Sequence, residues 1–173
     1  MADLVILTAE ELKAQSQLER QVARRAAREQ RLVRLILQTF LKRGGAIPIE
    51  DIVAASPASS ADATHDALIA LDDDDLIRIR AGHIDVAYPF SAAPTAFRVR
   101  LSDGREYYAC CATDALGMAP MVRAPVEIRS QCHHCGAPLS FSVTPHEPGP
   151  DARGVMVWFG KRGDDQCKAI DGL

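Results

Sequence analysis

Two stretches of the chain, LIRIRAGHIDVAYPF (76–90) and FRVRLSDGREYYA (97–109), alternate apolar and polar residues on both sides of a short turn. The turns are Ala81-Gly82 in the first and Asp103-Gly104 in the second. A period of two puts successive side chains on opposite faces, which suits a half-buried strand and not a helix. Gly in a two-residue break relieves the positive backbone angles of a tight reversal, so each stretch is expected to be an antiparallel hairpin. PVEIRSQC (125–132) and APLSFSVTP (137–145) read as two further strands. A loop rich in Pro and Gly spans 145–154, and GVMVWFG (154–160) is expected to be a last apolar strand.

The first third of the chain carries the helical period instead. Thr8 with Glu11 three residues on forms a capping box, and no strong breaker follows until Gly44-Gly45, so long helical structure is expected. Leu18, Val22, Leu32, Ile36 and Phe40 fall near one face, with Arg24, Arg28, Arg31 and Arg34 mainly off it. IPIEDIVAAS (47–56) reads as a short helix, and Ser59 or Ser60 caps another running to about Leu71. Helix, helix, helix, hairpin is the order of a winged helix. Asp62, Thr64, His65 and Asp66 make its would-be recognition helix acidic, which suits phosphate poorly and favours a structural or substrate-covering role over nucleic acid. The expected fold class is α+β: a helical, winged-helix-like domain over 1–90, then a small mixed or antiparallel β domain over 91–173 carrying a cysteine helix.

The bulk composition agrees with a folded, water-soluble chain. Of 173 residues, 47% are hydrophobic, enough to bury a core, and the net charge of −3 argues against a surface wholly committed to nucleic acid. No apolar run reaches the roughly 18 to 20 residues that cross a bilayer. The start, MADLVILTAEELKAQ, turns acidic at once without a basic leader, so a cytoplasmic location is expected. There the cysteines at 110, 111, 132, 135 and 167 should be free thiols.

Chemistry concentrates in YYACCATDALGMAP (107–120), whose Ala, Leu and Met content reads as helix interior. On a helix, Cys111 and Asp114 share a face. A thiolate beside a carboxylate is a like-charge pair, expected to hold a proton on the oxygen. Taken alone, such a cysteine is more often a buried structural residue. SQCHHCGAP (130–138) holds Cys132, His133, His134 and Cys135 in a CxxC knuckle that could supply half of a zinc site, with Cys110 or Cys111 completing it. The two histidines read as polar turn residues. Phosphate loops, nucleophile elbows and H-E-x-x-H helices are all missing from the sequence.

From Tyr88 onward the chain resembles the organomercurial (alkylmercury) lyases. YPFSAAPTAFRVRLSDGREYYACCATDALGMAP is similar to that family's proline-containing turn, D-G-R hairpin and C-A-x-D-x-L helix. RSQCHHCGAPLSFSV is similar to its strand ending in Ser-x-Cys followed by G-A-P, and VMVWFGKRGDDQCKAI to its cysteine beyond a Val-rich strand. The resemblance implies that Cys111 and Cys167 are paired mercury-binding thiols, that Asp114 is the proton donor, and that Cys132 is structural. It implies cleavage of a carbon–mercury bond by protonolysis, with no cofactor required and mercury(II) as the bound product. The implied partners are an organomercurial substrate, low-molecular-weight thiols, and a mercuric reductase as acceptor of mercury(II), with no membrane and no nucleic acid. The chain departs from the family in CHHCG, where Cys135 adds a thiol, and in the tail CKAIDGL, which lacks the family's aromatic pair. Two rival readings stay open: a metal-binding protein that holds copper, zinc or mercury through Cys111, Cys132, Cys135 and the histidines without cleavage, and a metal-sensing winged-helix regulator.

Overall fold

The computed structural model describes Thr8, Glu11, residues 30–56 and residues 60–158. Within them the chain is an α+β protein of four α-helices and one eight-stranded sheet whose pairings are all antiparallel. The order is α1 (Gln30–Arg43), β1 (Ile47–Pro48), α2 (Ile49–Ala55), α3 (Ala61–Asp73), β2 (Ile77–Arg80), β3 (His83–Ala87), β4 (Phe90–Ser91), β5 (Phe97–Leu101), β6 (Glu106–Ala109), α4 (Ala112–Val122), β7 (Val126–Gln131) and β8 (Pro138–Val143). None of the described helices is long and apolar enough to cross a membrane.

The local signals operate as expected in most places. Thr8 and Glu11 exchange capping bonds, the Thr8 N–H donating to Glu11 Oε2 at 2.7 Å and the Glu11 N–H to Thr8 Oγ1 at 3.2 Å. Ser60 Oγ accepts the Ala63 N–H at 3.2 Å and starts α3. On α1, Leu32, Ile36 and Phe40 are buried while Arg31 and Arg34 are exposed; Leu18, Val22, Arg24 and Arg28 lie outside the described residues. The first hairpin turns on Ala81 and Gly82, both with positive φ (48° and 75°). In the second, Gly104 has a φ of 88° and donates its N–H to Leu101 O at 3.0 Å.

Of the two forms expected for the β structure, mixed or antiparallel, the antiparallel one is present among the described residues. Three expectations need correction. Ile47 and Pro48 open no helix; they pair with Ile84 and His83 as β1 because β3 offers them an edge, and an edge position tolerates the N–H that Pro48 lacks. Phe90, expected at the end of the first hairpin stretch, instead forms with Ser91 a separate two-residue strand. Residues 154–158 of the expected last strand form no strand, leaving Met156 and Trp158 exposed.

β4 is two residues long, yet it joins the molecule. On one edge it pairs with β3 (Val86↔Ser91, Ala87↔Phe90) and on the other with β6 (Phe90↔Ala109, Ser91↔Tyr108). The sheet order is therefore β1-β3-β4-β6-β5-β7-β8, with β2 on the other side of β3. The expected 90/91 division falls inside this strand, and one buried cluster extends from Leu32 to Val143. Phe90 is fully buried, stacks on Phe40 of α1 with ring centroids 5.4 Å apart, and meets Tyr107 of β6 at 5.5 Å. Tyr107 Oη donates to Leu41 O at 2.6 Å and so does Arg105 Nη1, also at 2.6 Å, which satisfies a carbonyl at the α1 C-terminus that the helix itself leaves open.

Phe90→Ala should lower unfolding free energy by about 3 to 5 kcal/mol in urea titration, the range for emptying a packed aromatic site. Phe90→Leu should cost less, since it refills part of the volume.

Candidate functional site

The segment after β6 does not enter a helix at the cysteines. The Cys110 N–H donates to Pro89 O at 3.0 Å, and its thiol donates to Phe90 O at 3.3 Å, so Cys110 is fixed to the start of β4 and buried. Cys111 is extended (φ −150°, ψ −179°) and is the N-cap of α4, which begins at Ala112. The expected helix interior is thus a helix entrance. The reason is in the sheet: strand pairing holds the backbone through Ala109, and Pro89 takes the next N–H. Ala115, Met118 and Ala119, at helical spacing, are the residues α4 buries.

Cys111 and Asp114 come together as expected, though through a cap and not a shared helix face. The Cys111 thiol donates to Asp114 Oδ2 at 2.8 Å, and the Asp114 N–H reaches back to Cys111 Sγ at 3.5 Å. Thr113 Oγ1 stands 2.9 Å from the same sulfur. Thr113 is a neighbour that sequence reasoning missed; its signal was a hydroxyl residue in the first turn beside a cap position. Cys111 and Asp114 are half-buried and Thr113 is exposed, so the sulfur is reachable from solvent.

Sulfur is an unusual choice for a cap. Ser, Thr, Asp and Asn are the preferred residues, and thiol sulfur is a weak acceptor. A helix N-terminus also ordinarily lowers a thiol's pKa. Here the Cys111 thiol is pushed up from its ordinary value, first by burial, then by the charge of Asp114 and by the hydrogen bond to it. Burial and the carboxylate together outweigh the helix terminus. The Cys111 thiol and the Asp114 carboxyl are thereby joined through one hydrogen bond, the arrangement in which a proton can pass between sulfur and oxygen. Burial likewise pushes the Cys110 thiol well up, with the charge of Asp114 adding to it.

The other candidates do not join this pair. Cys132 and Cys135 sit in the β7–β8 turn, and among the described residues no group of three or more His, Cys, Asp or Glu gathers to hold a metal. A zinc site built from the knuckle with Cys110 or Cys111 is therefore not formed there. Cys167 lies outside the described residues. An open groove of about 920 Å³ runs along α1 and the β5–β6 hairpin, lined by Leu37, Leu41, Leu101 and Met121 among others. Cys111 and Asp114 are not part of it; the groove is large, but its lining offers no thiol, so the chemistry is assigned to the thiol and acid.

Comparison with known proteins points to the same region. Residues 90–172 match the family model described as MerB, alkylmercury lyase. The chain is 30% identical over 111 residues to an alkylmercury lyase of Staphylococcus epidermidis, a match covering 63% of this chain and 48% of the relative. It thus spans about half the length of the curated relative it matches. The fold is similar to the crystal structure of the mercury-bound form of MerB2, with a TM-score of 0.62 and 20% identity, over 76% of this chain and 64% of that one.

Two outcomes follow from the raised thiols. Asp114→Asn removes the charge that holds the proton on Cys111, so at pH below the Cys111 value more thiolate is present; iodoacetamide labelling of Cys111, read by peptide mass spectrometry at pH 7 to 8, should speed up. Cys110, raised from an ordinary 9.0, contributes stability that is complete below that value and is lost as pH rises toward its folded value. Thermal melting of Cys110→Ala should accordingly fall less between about pH 9 and 11 than that of the unsubstituted chain.

Proposed function

We propose that this chain, whose residues 90–172 match the alkylmercury lyase family model, is an organomercurial lyase that converts R–Hg–X to the hydrocarbon R–H and bound mercury(II). The single observation that carries the reading is the 2.8 Å hydrogen bond from the Cys111 thiol to Asp114 at a solvent-reachable helix entrance. Mercury is a soft acid, and thiolate is the softest ligand that side chains offer. As Cys111 sulfur bonds to mercury and X departs as an anion, the thiol proton passes to the Asp114 oxygen already aligned to receive it. The carboxylic acid so formed delivers that proton to carbon as the carbon–mercury bond breaks, its electron pair staying with carbon. A second thiol, assigned to Cys167 by the family resemblance, loses its proton to solvent and completes the mercury(II) bis-thiolate as thiolate. The net change is that R–Hg–X and two thiols give R–H, mercury(II) held by two sulfurs, and HX.

General acid catalysis contributes about 10²- to 10⁴-fold, short of the 10⁶-fold or more usual for enzymes. Sulfur coordination, which weakens the carbon–mercury bond before protonation, must contribute much of the rest. Excess small thiol then strips mercury(II) from the site between turnovers, and a mercuric reductase is the suited acceptor. No cofactor is needed, and a reducing cytoplasm keeps the thiols ready.

The finer fold reading belongs to the same proposal. The order α1, β1, α2, α3 and the β2–β3 hairpin suits a winged-helix-like N-terminal part. Asp62 and Asp66 are exposed on α3, which favours a structural or covering role over DNA binding.

With phenylmercury and excess small thiol, Asp114→Ala should keep mercury binding and lose benzene release by roughly 10²-fold or more. Cys111→Ser separates chemistry from folding: a hydroxyl is the better cap, so melting temperature should hold or rise while benzene release is abolished. Cys167→Ser should also abolish release. Unchanged turnover in Asp114→Ala would remove the proton-donor role, and stoichiometric zinc resisting chelation in the purified protein would favour the non-cleaving metal-binding reading.

A further inference from the structure

The β7–β8 turn carries two thiols that this mechanism leaves unused. The ladder ends at Gln131↔Pro138, after which the Cys132 N–H donates to Ala137 O and the Gly136 N–H to Cys132 O, both at 2.8 Å. Gly136 has a φ of 72°, a conformation that costs other residues steric strain, so the glycine lets the loop close this tightly. The closed loop directs the N–H groups of Cys135 and His134, together with the Cys135 thiol, at the Cys132 sulfur, which lowers that thiol's pKa. Cys135 is exposed and Cys132 half-buried. The backbone has thus already brought two sulfurs together at the surface and surrounded one with donors that favour thiolate.

The sheet also fixes where this turn lies. Arg98 of β5 is abreast of Tyr108 on one side and Arg129 on the other. Cys111 and Cys132 each stand three residues beyond that same rung, at the same end of the sheet. One strand intervenes, which sets β6 and β7 about 10 Å apart at the usual strand spacing.

We propose that Cys132 and Cys135 form a second soft-metal site, which takes mercuric ion as a two-coordinate bis-thiolate independently of Cys111. No third Cys, His, Asp or Glu gathers with them among the described residues, which leaves a tetrahedral ion such as zinc two ligands short. Mercury(II) is satisfied by two thiolates. From HgCl2, two S–H bonds release protons to solvent, two S–Hg bonds form and two chlorides leave; no electron is transferred. The exposed Cys135 side chain can swing to the far side of the ion without disturbing the core. The site's place at the same sheet end suits it to receive the product of the reaction proposed above, but its binding of mercuric ion does not depend on that reaction.

The test uses the full chain with Cys111→Ser and Cys167→Ser, titrated with HgCl2 against excess monothiol and desalted before metal analysis. Because the second sulfur binds intramolecularly, the pair should outcompete monothiol by roughly 10²- to 10⁴-fold and retain about one mercury per chain. Adding Cys135→Ser, an exposed change that leaves the loop's backbone bonds in place, should lose about that factor with an unchanged circular dichroism spectrum. No retained mercury, or retention indifferent to Cys135→Ser, would overturn the proposal. Stoichiometric zinc in the purified protein that Cys135→Ser removes would also overturn it, by showing a four-ligand site. Phenylmercury cleavage by the unsubstituted chain is a separate readout: its failure, with mercury still retained at the knuckle of the substituted one, sinks the lyase reading alone.

Discussion

A strand of only two residues, Phe90 and Ser91, takes backbone pairing from β3 and β6 while the Phe90 ring fills the space between Phe40 and Tyr107. Burying a large aromatic there ties the helical part to the sheet, and the same strand fixes the path of the chain beyond β6. Pro89 O takes the Cys110 N–H and Phe90 O takes its thiol, so Cys111 leaves the sheet at a set angle, in an extended conformation that caps α4. The two adjacent cysteines therefore have opposite roles. Cys110 is anchored in the core, and Cys111 faces the acid and solvent.

That placement explains why a thiol stands where serine or aspartate would make a better cap. A cap is a position where a side chain meets the first N–H groups of a helix, and the residue at N3 comes back within reach of it. Asp114 occupies N3, so thiol and carboxylate share one proton in a half-buried spot. The stability forgone by a weak sulfur cap is on the order of 1 kcal/mol, which is minor beside the gain of about a hundredfold or more that the proposed proton transfer would bring.

Period and turn chemistry made both hairpins, the α1 core stripe and the Ser60 cap legible in the sequence. Those signals are local, and local geometry decides them. The corrections have a nonlocal cause. Ile47 and Pro48, like Phe90 and Ser91, are too short to show a period; they are strands only because β3 and β6 offer edges to them. The onset of α4 was misplaced because helix propensity favours Ala and Leu throughout 107–120, whereas sheet pairing keeps the chain extended to Cys111. The Cys111–Asp114 pairing was legible from spacing alone, since i and i+3 meet both on a helix face and across a cap.

The proposed chemistry requires sulfur at 111, sulfur at 167 and the Asp114 carboxylate to converge on one mercury atom. A crystal structure of the full chain soaked with mercuric ion would reveal that convergence or its absence. Mercury should bridge Cys111 and Cys167 Sγ, with an Asp114 oxygen beside it. Mercury on Cys111 alone, with Cys167 ordered elsewhere in the molecule, would contradict it.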